Sequence, residues 1–309
     1  MVMGPLNGLQ QEKEWSGECP MKFRLSSPTA VDEALQLLQK SSGEVRLLAG
    51  GTDVMVGMRV GKMKPDLLIN LNKITDLAGI KPSDHFDEGL FIGALTKISD
   101  VEHAHELVGG YSILSSAAGT LASVQIRNLA TLGGNICNAA PSADTATSLL
   151  VLDAVAEIAG RDGRKFVLLE DFFTGPGMTV LEGERILIGF HLPPQPEQTA
   201  GVYIKHGARK AMDCCTLGVA ALISMNNNRI SKARIAIGAV APTPLRVHEA
   251  EALLEGKTLA QDLIKEAAQL AEDAARPIDD VRGQAWYRKQ MVGVDTRRAL
   301  SKIAEELGG

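Results

Sequence analysis

Residues 47–57 read LLAGGTDVMVG and residues 129–145 read LATLGGNICNAAPSADT. Each stretch sets a glycine pair, Gly50–Gly51 or Gly133–Gly134, behind apolar or β-branched residues and ahead of small polar ones. A Gly-Gly turn after a strand permits positive φ and lets a ligand approach the main chain with no Cβ in the way. Successive amide N–H groups in such a turn form an anion-binding concavity suited to a pyrophosphate. Neither turn is a P-loop, because no Lys-Ser/Thr follows the glycines. Neither is GxGxxG, and a Rossmann reading would also need a parallel βαβ unit that the pattern does not display. One such turn alone reads as a tight turn. Two of the same kind, 83 residues apart (133 − 50), read as grips converging on the two ends of one elongated, phosphate-bearing ligand.

The rest of the chain bounds that reading. Its 309 residues suffice for one large or two ordinary domains with real cores. A net charge of −5 argues against a nucleic acid as the main partner. The longest apolar run, 217–225, is far shorter than the roughly 20 residues that span a bilayer, and no secretory signal pattern is present. None of the four cysteines (Cys19, Cys137, Cys214, Cys215) forms a CxxC pair, which excludes a disulfide scaffold and a four-thiolate metal cluster. A reduced, cytoplasmic setting is expected. Among the six histidines no HxxxH pair occurs, and the one HxH pair, His103 and His105, could approach only on opposite sides of a helical turn, so no metal site is expected.

Residues 1–20 show no periodicity and are expected to be a disordered extension. KFRLSSPTAVDEALQLLQK predicts a short strand and a helix with Ala34, Leu35, Leu37 and Leu38 on one face. Strands follow at 45–48, 67–71 and 90–93. Ser99 and Glu102 have the spacing of a capping box, a second helix is expected over 112–122, and Ser142 is a candidate N-cap for a third. Asp162-Gly163 predicts a hairpin, ERILIGFHLP another strand, and the Pro-rich 193–198 a linker. Beyond it come two strands joined by an Asn turn, an amphipathic helix over 259–274 and another over 286–307. Cys214 and Cys215 are expected to start the first of these strands, buried on opposite faces. Strands and helices do not alternate strictly, so the fold class expected is α+β.

Ala49-Gly50-Gly51-Thr52-Asp53, paired with Thr131-Leu132-Gly133-Gly134-Asn135, resembles the motif pair of the flavin subunits of molybdenum hydroxylases. That family includes carbon monoxide dehydrogenase medium chains and the FAD subunits of xanthine dehydrogenases. The second motif extends to Gln125-Ile126-Arg127-Asn128 on one side and to Asn138 through Asp144 on the other. The resemblance implies an α+β fold with a two-subdomain FAD-binding domain of the vanillyl-alcohol-oxidase/PCMH type over 21–198. A small C-terminal domain with a three-stranded antiparallel sheet and helices would fill 199–309. FAD would be held by Leu47, Leu48, Ala49, Gly50, Gly51, Thr52, Asp53 and Val54 on one side. Thr131, Gly133, Gly134, Asn135 and Cys137 would hold it from the other, with Ala140, Pro141, Ser142, Ala143 and Asp144. Backbone amides and the Thr52 hydroxyl would grip the pyrophosphate, and Asp144 would accept from ribose hydroxyls. Ile74, Ala117, Ile188 and Lys205 would lie by the flavin, with Lys205 able to stabilise its anionic reduced form.

The resemblance further implies electron transfer. The partners would be a small [2Fe–2S] chain and a large molybdopterin chain, with NAD+ as one acceptor, assembled as a dimer of heterotrimers. No acid–base pair or metal ligand is evident in this chain, so the cofactor would carry the redox chemistry. A standalone FAD oxidoreductase with its own substrate site is the alternative; the few aromatics, 4%, speak against such a pocket. A nucleotide-binding module without redox chemistry is a second. Gly50→Val or Gly133→Val is expected to abolish FAD binding and leave a folded apoprotein.

Overall fold

The computed structural model describes residues 22–181, 183–209 and 211–308; the expectation for residues 1–20 lies outside them. The first unit is β1 (Arg24–Ser26), α1 (Val31–Lys40), β2 (Val45–Leu48), α2 (Val54–Arg59) and β3 (Leu67–Asn70). Its strands are parallel, in the order β1-β3-β2. This overturns the expectation of no parallel βαβ unit. The apolar Leu67–Ile69 run is buried throughout, as suits a central parallel strand. The flanking strands, three and four residues long, are too short to show any period.

β4 (Ile80–Pro82) and β5 (Leu90–Gly93) then begin an antiparallel sheet. Five helices follow before it resumes: α3 (Ile98–Glu102), α4 (Ser112–Thr120), α5 (Val124–Arg127), α6 (Leu132–Cys137) and α7 (Asp144–Val151). β6 (Val155–Gly160) and β7 (Gly163–Leu168) form the expected hairpin, with Gly163 at φ +91°. β8 (Phe173–Gly175) and β9 (Met178–Thr179) make a small ribbon, and β10 (Ile186–Leu192) inserts between β5 and β6. The sheet order is β4-β5-β10-β6-β7.

The caps differ from expectation. Ser99 lies inside α3, which Lys97 precedes as N-cap, and Glu102 is drawn instead to Arg127 at 2.7 Å. α7 starts from Ala143 rather than Ser142.

The last unit is an antiparallel sheet of β11 (Thr199–His206), β12 (Leu217–Asn226) and β13 (Arg229–Gly238), the three strands implied above, with a two-residue β14 (Leu245–Arg246) at its edge. Asn227 and Asn228 both take positive φ, the two-residue turn that matches strand twist. α8 (His248–Leu254), α9 (Gln261–Ala274) and α10 (Ala285–Glu306) complete it. Ile235, Ile237, Ile264, Ala271, Val292 and Leu300 fill its core. A second core gathers Ile113, Leu114, Leu149, Phe172 and Phe190, and a third, under the parallel sheet, holds Ile69, Leu77, Phe91 and Ile188. α7 is buried on every side, packed against α4, β12 and β13. Among the described residues no helix is long and apolar enough to cross a membrane.

Candidate functional site

The two glycine pairs meet. A Cβ on Gly50 would lie 2.1 Å from the Leu129 carbonyl oxygen, so the first turn rests directly on the segment entering the second. Only Gly51 takes positive φ, +73°. The second pair is helical: Thr131 caps α6, its Oγ1 accepting from the Gly134 amide at 3.0 Å. Gly133 fits because its Cα lies against Ala94, whose carbonyl oxygen would be 2.6 Å from a Cβ. These glycines are therefore required by protein packing. A Cβ at Gly50 or Gly133 would strike backbone first, which revises the expectation of a folded apoprotein for valine there.

Between the turns runs a cleft of about 840 Å³. It is lined by Leu47, Ala49, Gly50, Gly51, Thr52, Asp53 and Val54 on one side, and by Thr131, Gly133, Gly134, Asn135, Cys137, Ala140, Ser142, Ala143 and Asp144 on the other. Ile74 and Ile188 do not line it; both fill the core under the parallel sheet. Ala117 is likewise fully buried. Leu48 packs on Gly51, and the Pro141 carbonyl accepts from the Ala239 amide. These residues, and Tyr203 and Lys205 with them, are not among those that line the cleft. Sequence reading missed Arg46, Arg185, Ile126 and the 212–215 loop, all on the cleft wall. Cys214 and Cys215 belong to that loop and not to β12; Cys214 is exposed and Cys215 buried.

The two sides offer different chemistry. Among the described residues, none of the successive amides from Gly50 to Val54 donates to a protein acceptor. The amides of Leu132, Gly133, Gly134 and Asn135 are already spent on Thr96, Ala94 and Thr131. The second side instead brings side chains. The Asn135 Oδ1 accepts from Thr145 at 2.7 Å, which turns the amide nitrogen of Asn135 away from that bond and leaves it available. Asp144 accepts from the Tyr203 hydroxyl at 2.8 Å and from the Lys205 ammonium at 2.9 Å, and Lys205 also donates to the Thr120 carbonyl at 3.0 Å. β11 thus delivers Tyr203 and Lys205 from one face, two residues apart. That period was the signal by which Tyr203 could have been found.

Burial pushes the Asp144 carboxyl above the ordinary carboxylate range, while the Lys205 charge and the hydrogen bonds from Lys205 and Tyr203 pull it back. Burial pushes the Cys137 thiol up to about 12, and burial with the neighbouring Asp144 charge does the same to Cys215. Among the described residues no three His, Cys, Asp or Glu side chains converge as metal ligands.

Five successive open amides and a glycine free of Cβ on one side of the cleft, with a fixed carboxylate on the other, fit a dinucleotide's phosphates and sugars. Such a cleft in an α+β protein suits a dinucleotide. Residues 21–195 match the family described as FAD binding domain in molybdopterin dehydrogenase, and residues 202–303 match CO dehydrogenase flavoprotein C-terminal domain. The chain belongs to this family, whose cofactor is FAD, and is an oxidoreductase subunit.

It is 34% identical over 278 residues to a putative xanthine dehydrogenase FAD-binding subunit of Escherichia coli (strain K12), covering 90% of this chain and 94% of that protein. It is 32% identical to the carbon monoxide dehydrogenase medium chain of Hydrogenophaga pseudoflava, over 91% and 97% of the two chains. A solved structure of carbon monoxide dehydrogenase from that organism superposes with a TM-score of 0.87 at 32% identity, over 92% of this chain and 98% of that one. Quinoline 2-oxidoreductase from Pseudomonas putida 86 superposes at 0.85 and 26% identity, over 92% and 98%.

Proposed function

We propose that the chain is the FAD-carrying electron-transfer subunit of a xanthine dehydrogenase-like molybdenum hydroxylase. Electrons would arrive from the [2Fe–2S] clusters of a small partner chain, drawn from substrate at a molybdopterin-bearing large chain, and leave to an acceptor such as NAD+. The observation that carries this reading is the run of open amides from Gly50 to Val54 facing Asp144, itself held by Lys205, across one cleft. The relatives described as FAD-binding subunits and medium chains support a subunit over a standalone enzyme.

Each group has a stated task in this reading. The Gly50–Val54 amides and the Thr52 hydroxyl hold the phosphates. The Asn135 amide and the Ser142 hydroxyl orient the polar chain between them, and Asp144 accepts from sugar hydroxyls. Lys205, held between Asp144 and Thr120, fixes that carboxylate from behind the cleft wall. Bound FAD supplies the one- and two-electron redox chemistry that the side chains lack. The unit boundary falls in 193–198, and the complex is a dimer of heterotrimers in the cytoplasm.

The test is reconstitution. Co-purification should recover two partner chains with this one. Under anaerobic conditions the isolated chain's flavin band should be unchanged by an N-heterocyclic hydroxylation substrate, and should bleach once both partners are present. Direct bleaching of the isolated chain would place the substrate site here and revive the standalone reading. NADH reducing the isolated flavin would support NAD+ as acceptor.

A further inference from the structure

We infer that Tyr203 is a positioning residue of the cofactor site: its hydroxyl fixes the Asp144 carboxylate so that both oxygens can receive a pair of neighbouring hydroxyls in the cleft. The inference rests on the reading that Asp144 accepts from sugar hydroxyls. Tyr203 donates to Oδ1 and Lys205 to Oδ2, so each oxygen is pinned by one donor and keeps acceptor capacity for another. Lys205 alone would hold only one oxygen and leave the carboxylate free to turn about its broad terminal torsion. A diol needs both oxygens at once, and the Tyr203 bond supplies the second anchor.

The surroundings leave little else to do this. The Asp144 and Lys205 side chains are 8% and 11% exposed. The titratable groups facing Asp144 are Lys205 and Tyr203 from β11 and Cys215 from the loop before β12. Cys215 is 3.9 Å from the Tyr203 oxygen, a weak partner that does not replace the phenol's bond to Asp144. The Tyr203 bond also favours the ionised carboxylate, opposing the effect of burial.

The experiment measures FAD affinity of the full chain, by flavin fluorescence, across pH for wild type, Tyr203→Phe and Asp144→Asn. Wild-type affinity should fall as pH drops through the Asp144 titration. Tyr203→Phe should bind roughly fivefold more weakly at neutral pH, with its fall displaced upward by about one pH unit, as removal of a donor to the ionised form requires. Asp144→Asn should bind weakly with no such fall. Weakened binding in Tyr203→Phe with a wild-type pH profile would mean a packing role only and overturn the inference. So would wild-type behaviour of Tyr203→Phe beside a weakened Asp144→Asn, which leaves the role of Asp144 standing. Unchanged binding in Asp144→Asn would sink that role and the inference with it. Should Tyr203→Phe not fold, replacement of the chain's three tyrosines by fluorotyrosine gives a stronger donor and must move the fall to lower pH; an unmoved fall overturns the inference.

Discussion

At the scale of single residues the glycines divide by what they face. Gly50 and Gly133 face backbone, so Gly50→Ala and Gly133→Ala force the chain apart and should each cost about 1–3 kcal/mol. Gly51 faces only the ends of Leu48 and Met55 but holds φ at +73°, so Gly51→Ala should cost about 1–2 kcal/mol and still fold. Thermal unfolding of the three apoproteins checks the order, and a Gly51→Ala protein less stable than Gly50→Ala would refute it. The cysteines divide as sharply. A thiol at about 12 is ionised to roughly one part in ten thousand at pH 8, so Cys137 and Cys215 should resist iodoacetamide until the chain unfolds. Exposed Cys214 should react in the native chain, and FAD should slow it, since it lines the cleft. Peptide mapping of the alkylated protein reads this out. A protonated Cys137 is also a poor nucleophile, so FAD should be released on acid precipitation; colour retained in the pellet would show a covalent bond.

At the scale of elements, α7 joins the units. It opens at Asp144 on the cleft and is followed by Asp153, which accepts from Lys232 at 2.7 Å, Arg246 at 2.8 Å and Arg234 at 3.1 Å across the junction with β13 and β14. Burial raises the Asp153 carboxyl, but these three cations outweigh it and hold it below the ordinary carboxylate value. A depressed carboxylate contributes stability above its unfolded pKa and loses it as pH falls through the folded one. Asp153→Asn should therefore lower stability by about 2 kcal/mol at pH 7. The gap should close below about pH 4. Melting curves at the two pH values check it, and an equal gap at both would remove the charge from the account.

The elements also show what the sequence carried. The long β12 and β13, their Asn turn and the α9 and α10 helices were legible, because ten or more residues suffice to display a period. The parallel sheet was not, since β1 and β2 are too brief. Nor was α7 as a wholly buried helix, since a helix without a solvent face has no stripe. The first glycine motif was read correctly as an open turn. The second was not: its glycines serve close packing inside α6, Gly133 against Ala94, and nothing local in LATLGGN announces that partner 39 residues away (133 − 94).

For the whole molecule, the cleft is assembled from distant parts. Its amides lie at 50–54, the segment that braces them at 129–133, and the side chains that anchor Asp144 at 203 and 205. Removing residues 199–309 should consequently leave FAD binding weaker by tenfold or more even where the remainder folds, since Asp144 would lose both of its donors. Equilibrium dialysis against FAD measures this, and full affinity in the shortened chain would contradict it. The same arrangement sets a schedule during synthesis. A ribosome that has just released Gly51 must add 154 further residues (205 − 51) before Lys205 exists, on the order of 10–30 s at ordinary elongation rates. Until then the nascent polypeptide displays a phosphate cradle whose opposite wall lacks the two donors that fix Asp144, so flavin is held at full affinity only after most of the message has been translated.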